Sequence, residues 1–141
     1  SKMSFNELSE AVNLSPSPCF FRVRKLEQAG VIRSYHTHID LERLGPHVMV
    51  MTEITLEKHT PQFHEKFQQY LMGMPEVVIA YMVSGHFDYL LQFVCKDIER
   101  YMALTQTMSD ANIGISHLTS YVILGTSKPF SGYPLAELVA E

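Results

Sequence analysis

From position 47 onward the chain switches between two hydrophobic periods. VMVMTEITL (48–56) places Val48, Val50, Ile54 and Leu56 on one side of a two-residue repeat, which predicts a strand. Thr60-Pro61 opens a segment in which Phe63, Phe67, Tyr70 and Leu71 share a helical face, ended by Gly73 and Pro75. VVIAYMV (77–83) is an unbroken apolar run and reads as a buried strand. SGHFD (84–88) is a turn that leads into YLLQFVC (89–95), a further strand. Asp97 then suits the N-cap of a helix holding Ile98, Tyr101, Met102 and Met108, and a last strand covers roughly 116–124. Strand-helix-strand occurring twice predicts an α+β, ferredoxin-like βαββαβ sandwich with both helices on one face of the sheet. The other face carries Met49 and Met51 with no helix left to cover it, so a second subunit is expected there.

The first 46 residues follow a different plan. Ser4-Phe5-Asn6-Glu7 fits a capping box, and the helix after it should face Phe5, Leu8, Ala11 and Val12 inward. Asn13 suits the left-handed residue that ends such a helix. In NLSPSPCFFRVRKLEQAG (13–30), Ser15 is an N-cap candidate, and Pro16 and Pro18 fall in a first turn whose amides lack helical partners. The prolines therefore fix an abrupt helix start, and Gly30 marks its stop. Cys19, Val23 and Leu26 form the inner stripe, while Phe21, Arg24, Lys25 and Gln28 fall on other faces with Arg22 beside them. Two short helices with a cationic second member make a helix-turn-helix signature. Residues 31–39 read as an extended connector, and LERLGP (41–46) as a turn.

Composition sharpens this division. The chain has 141 residues and a formal charge of -4, yet residues 1–46 hold six cations against five acids and residues 47–141 five against ten. Within 15–33 the balance is four to one, a local excess of positive charge inside an acidic protein. The two cysteines, Cys19 and Cys95, form no CxxC or paired pattern, which fits a reducing, cytoplasmic setting. The longest apolar run is far too short to span a bilayer, and no charged-then-apolar leader opens the chain.

Two groups of residues can carry binding chemistry. Ser15, Ser17, Arg22, Arg24 and Lys25 offer hydroxyls and cations to phosphates and base edges of double-stranded DNA, with a solvated cationic helix as the plainer reading. In SGHFDY (84–89), Gly85 permits a tight turn whose amides can cradle a carboxylate, and Asp88 can hold a nearby ammonium. An amino acid presents both charges close together; equally, Asp88 can bond its own turn. Among seven histidines, His36 and His38 share one side of an extended segment, and His59 and His64 straddle a helix start. Spacing sets no third ligand, so neither a metal nor any other cofactor is expected. No phosphate-binding loop, nucleophile elbow or paired acid/base motif occurs, and an enzyme is not expected.

LSPSPCFFRVRKLEQAGVI followed by VSGHFDYLL resembles the Lrp/AsnC family of transcription regulators over about residues 3–124. The resemblance implies a winged-type helix-turn-helix in residues 1–33, lacking its usual first helix, and an extended hinge in 34–46. It further implies a ferredoxin-like effector-binding and dimerisation domain in 47–125, with a C-terminal tail in 126–141. By the same likeness, Ser15, Ser17, Arg22, Arg24 and Lys25 belong to the DNA-reading helix. Gly85, His86, Asp88 and Tyr89 belong to an effector turn, with Thr119, Ser120 and Tyr121 nearby. A homodimer is implied, with octamers common in the family, and the effector would be an amino acid or related metabolite. His86 stands where Asp is frequent, and Phe20-Phe21 departs from the usual polar pair, so ligand choice and operator sequence do not carry over. The expected function is a sequence-specific transcriptional regulator responding to that effector. The rival is a small-molecule-binding or oligomerisation module whose DNA-binding part is incomplete.

Overall fold

The computed structural model describes residues 3–139; residues 1–2 and 140–141, the outermost parts of the expected 1–33 and 126–141 segments, lie outside the described residues. The chain divides into two compact units, residues 1–40 and 41–141.

The first unit contains helices α1 (Phe5–Ala11) and α2 (Pro16–Gln28). Ser4 and Glu7 form the capping box: the Ser4 amide donates to Glu7 Oε2 at 2.7 Å and the Glu7 amide to Ser4 Oγ at 3.2 Å. Hydrogen bonding to the Ser4 amide, and then to its hydroxyl, holds the Glu7 carboxyl below its usual range. Asn13 takes a positive φ of 52° between the helices. Ser15 is the extended N-cap of α2 and Pro16 follows at its first turn. The inner face of α1 differs from the expected one. Ser9 is its buried residue, its hydroxyl donating back to the Asn6 carbonyl, whereas Ala11 and Val12 are exposed. A hydroxyl that returns to its own helix can be buried without a partner elsewhere.

The second unit is the βαββαβ sandwich. Its strands are β1 (Val48–Leu56), β2 (Val77–Met82), β3 (Tyr89–Cys95) and β4 (Ile115–Val122), in the order β2-β3-β1-β4, all neighbours antiparallel. Helices α3 (Pro61–Met72) and α4 (Ile98–Asp110) supply the second layer. Strict alternation along β1 and β3 sends Val50, Ile54, Leu56, Tyr89, Leu91, Phe93 and Cys95 into the core with Phe67, Leu71, Tyr101 and Met108. Asp97 caps α4, accepting the Arg100 amide at 2.7 Å. Arg100 also pairs with Glu76, ahead of β2, and holds that carboxyl below its usual range. Gly114, with φ +81°, lies so close to α3 that an added Cβ would stand 2.4 Å from a Phe63 ring carbon.

VVIAYMV corrects the expectation of a buried strand. β2 lies at the edge of the sheet, and Val78, Ile79, Tyr81 and Met82 are exposed. Its uniform apolarity reflects an uncovered face and edge rather than burial on both sides. A short helix, α5 (Leu135–Leu138), ends the described chain.

Candidate nucleic-acid and effector sites

On α2, Ser15, Ser17, Arg22, Arg24 and Lys25 are all exposed. Cys19 is buried and Val23 half-buried, which turns the opposite side outward. Helical spacing then gathers Ser17, Phe21, Arg24, Lys25 and Gln28 on that outward side, with Arg22 at its margin. The cations differ in how they are held. Arg24 pairs with Glu27 at 3.4 Å and lies over the Phe20 ring, 5.4 Å from its centroid. Phe20 in turn meets Phe5 of α1 edge-on at 5.3 Å. Glu27 also accepts from the Tyr35 hydroxyl at 2.8 Å, a bond that raises the Tyr35 phenol above its ordinary range. Arg22 and Lys25 have no such partner among the described residues. Arg22 is exposed and also lines an apolar groove with Leu8, Val12, Leu14, Cys19, Val23 and Leu26. The Ser15 side chain makes no capping bond, so its hydroxyl stays available to an outside acceptor or donor.

The SGHFDY turn joins β2 to β3. Gly85 has φ +144°, a backbone that side chains disfavour, and His86 beside it is exposed. Asp88 is committed on both oxygens. Oδ2 accepts the Leu56 amide at 2.7 Å, and Oδ1 lies 2.8 Å from His59 Nδ1. The Asp88 amide donates to the Ile54 carbonyl at 2.8 Å, so this residue pins the turn to the end of β1. Tyr89 points into the core, its ring tilted against that of Phe67 with centroids 4.7 Å apart, and burial raises its phenol. Its hydroxyl meets His64 Nδ1 at 2.8 Å and accepts from the Gln68 amide at 3.1 Å.

The three β4 residues do not share one surface. Ile54 stands opposite both Tyr89 and Leu118, Glu53 opposite Thr119, Thr52 opposite Ser120, and Met51 opposite Tyr121. Ser120 therefore faces the helices, where it bonds the Tyr101 hydroxyl; that hydroxyl also bonds Thr52 at 2.8 Å. Thr119 and Tyr121 face the open side. There, partial loss of solvation and the Glu53 carboxylate beside it raise the Tyr121 phenol. Gly85, His86, Asp88 and Tyr89 thus form one local group, and Thr119 and Tyr121 project from the other face of the sheet. Sequence reasoning missed the partners Leu56, Gln68 and Tyr101. Each is brought in by strand register or helix packing, which no local spacing encodes.

Residues 49–133 match the family described as the Lrp/AsnC ligand binding domain, and residues 1–33 match a winged helix-turn-helix DNA-binding family. The transcriptional regulatory protein DoeX of Halomonas elongata is 33% identical over 90% of this chain and 80% of its own length. The leucine-responsive regulatory protein of Haemophilus influenzae is 36% identical over 87% of this chain and 74% of its own. Among solved structures, an AsnC family transcriptional regulator from Agrobacterium tumefaciens superposes with a TM-score of 0.88 at 31% identity, covering 98% of this chain and 90% of that one. The transcriptional regulator NMB0573 of Neisseria meningitidis, solved as its complex with L-Met, gives 0.89 at 28% identity, over 98% and 89% of the two chains.

Proposed function

This chain belongs to the Lrp/AsnC family of transcriptional regulators, and on that premise we propose that α2 contacts DNA while the sheet unit binds an amino acid and pairs subunits. The exposed cationic side of α2 carries the DNA reading. A proline-started helix presents Ser15, Ser17, Arg22, Arg24 and Lys25 outward, in a chain that is acidic elsewhere. Such a face gains affinity by releasing counterions from phosphates and can discriminate bases only with side chains left free to reach them. The segment 34–46 then acts as the hinge between this reader and the sensor in 47–125.

For the effector, the supporting geometry is the β2–β3 turn. Gly85 and His86 are exposed, which lets their backbone amides meet a carboxylate, and Asp88 supplies negative charge beside them. Because Asp88 already bonds Leu56 and His59, an arriving ammonium must displace the His59 contact or share Oδ1. An amino acid is the ligand class favoured, as it is for the Neisseria relative solved with L-Met. The sheet face bearing Met49 and Met51 is the proposed subunit interface.

The test is fluorescence anisotropy of the chain on a labelled duplex selected from a random library, across a salt series, with and without single amino acids. Affinity should fall linearly in log-log form as salt rises. At least one amino acid should shift it by about fivefold or more, and Asp88→Ala should remove that shift. Absence of DNA binding at low salt would overturn the DNA reading, and a shift that survives Asp88→Ala would reassign Asp88 to holding the turn.

A further inference from the structure

Three elements bring metal-ligating side chains to one end of the sheet. His59 stands between β1 and α3, His64 in the first turn of α3, and Asp88 directly before β3. One ligand atom from each lies within 4.8 Å of the other two. The geometry points to a site for a divalent transition-metal ion of the zinc, nickel or cobalt type, bound by His59, His64 and Asp88. Sequence spacing offers the two histidines alone; strand pairing supplies the carboxylate.

The donor set selects the class of ion. Two imidazoles with one carboxylate suit zinc, copper, nickel and cobalt, whereas magnesium and calcium prefer all-oxygen cages. Two of the three ligands are held by outer partners, as ligands of a built site are. Tyr89, itself bonded by Gln68, engages His64 at 2.8 Å, and the Leu56 amide holds Asp88 Oδ2 at 2.7 Å. The other carboxylate oxygen faces His59. His59 is the exposed arm, its side chain 68% exposed against 14% for Asp88, and it gives an ion a route from solvent. Donors on a tetrahedral ion stand roughly 3.3–3.6 Å apart, so the cluster must adjust by about an ångström to take one, opening the His59–Asp88 pair and closing the longer separations. The neighbouring cation is engaged elsewhere: the Lys58 amine lies 5.6 Å over the Phe63 ring. Three protein ligands leave one position for water or a small ligand. The site would staple the β1–α3 loop to the β2–β3 turn; it uses the Asp88 and His59 groups that the amino-acid reading also uses, and metal binding with no amino acid present is read separately from that reading.

The experiment is isothermal titration of the tag-free full chain with ZnCl2 in a non-chelating buffer, with Co2+ absorbance as a readout of tetrahedral geometry. One ion should bind per chain, and millimolar Mg2+ should not compete. His59→Gln and His64→Gln should each weaken binding more than the tenfold to hundredfold typical of losing an outer partner, and Tyr89→Phe should weaken it by that smaller amount. A His36→Gln/His38→Gln double variant should bind as the parent does. Absence of saturable binding, binding that survives His64→Gln, or a loss that follows His36 and His38 would each overturn the site.

Discussion

The Tyr101 hydroxyl sits between two others, and its position makes a polar group in the sheet core affordable. Thr52 is fully buried on β1 among Val50, Ile54 and Leu56, with Tyr101 as its side-chain partner; Tyr101 also reaches Ser120 on β4. One phenol from α4 thereby joins two strands. Removing it leaves the Thr52 hydroxyl buried without that bond, a loss of about 1–3 kcal/mol. Tyr101→Phe is therefore expected to lower unfolding free energy by that amount in urea titration. Thr52→Val replaces the stranded hydroxyl with an apolar group, so the Thr52→Val/Tyr101→Phe double variant should lose less than the two single losses combined. Strictly additive losses would show that the hydroxyls share no energy. The pairing of Thr52 with Tyr101, 49 positions apart, could not be read from the chain. Alternation placed Thr52 on the inner face of its strand, and only packing chose its partner.

At the scale of elements, α2 shows what local chemistry determines. Ser15 and Pro16 set its start without help from the rest of the fold, and the same holds for the box at Ser4 and Glu7 and the cap at Asp97. What the helix cannot announce is which of its cations are spent. Arg24 is held by Glu27 and Phe20, whereas Arg22 and Lys25 have no such tie among the described residues. In anisotropy measurements over a salt series, Arg22→Ala or Lys25→Ala should each reduce the log-log salt slope by about one if the side chain meets a phosphate. Arg24→Ala should do less, since its guanidinium must first leave Glu27. A larger slope change for Arg24 than for the other two would invert this order. β2 makes the complementary point. Its apolar run is legible as a strand, yet hydrophobicity alone does not say whether cover comes from this chain or another. His59, His64 and Asp88 meet for a similar reason. Their convergence is a property of the β2-β3-β1-β4 order, and linear spacing carries only its first two members.

Within the second unit, one face of the sheet has no helix packed on it among the described residues. The register places Met49 opposite Val94, Met51 opposite Gln92, Ile79 opposite Gln92 and Tyr81 opposite Leu90, all on the side away from the helices. Ile79 and Tyr81 are exposed, and so is Tyr121 beyond them on β4. Contiguous apolar surface on a sheet is costly to leave in water, and the proposed second copy, presenting the same face, would cover it through a two-fold contact. Glu53 tempers that face. Its carboxylate sits in the middle, opposite Leu90 and Thr119, with Tyr121 beside it. Burying that charge in an interface is costly unless it is hydrogen-bonded or paired, and the Tyr121 hydroxyl gives it one such bond. Sedimentation equilibrium at micromolar concentration should therefore give a dimer or a multiple of it. Leu90→Glu sets a second carboxylate directly across from Glu53, and like charges opposed on neighbouring strands repel. That variant should shift the population toward monomer while circular dichroism still reports the parent's secondary structure. A parent chain that sediments as a monomer would remove the sheet face as an interface. A Leu90→Glu chain that remains fully dimeric, with its fold intact, would move the contact to another surface.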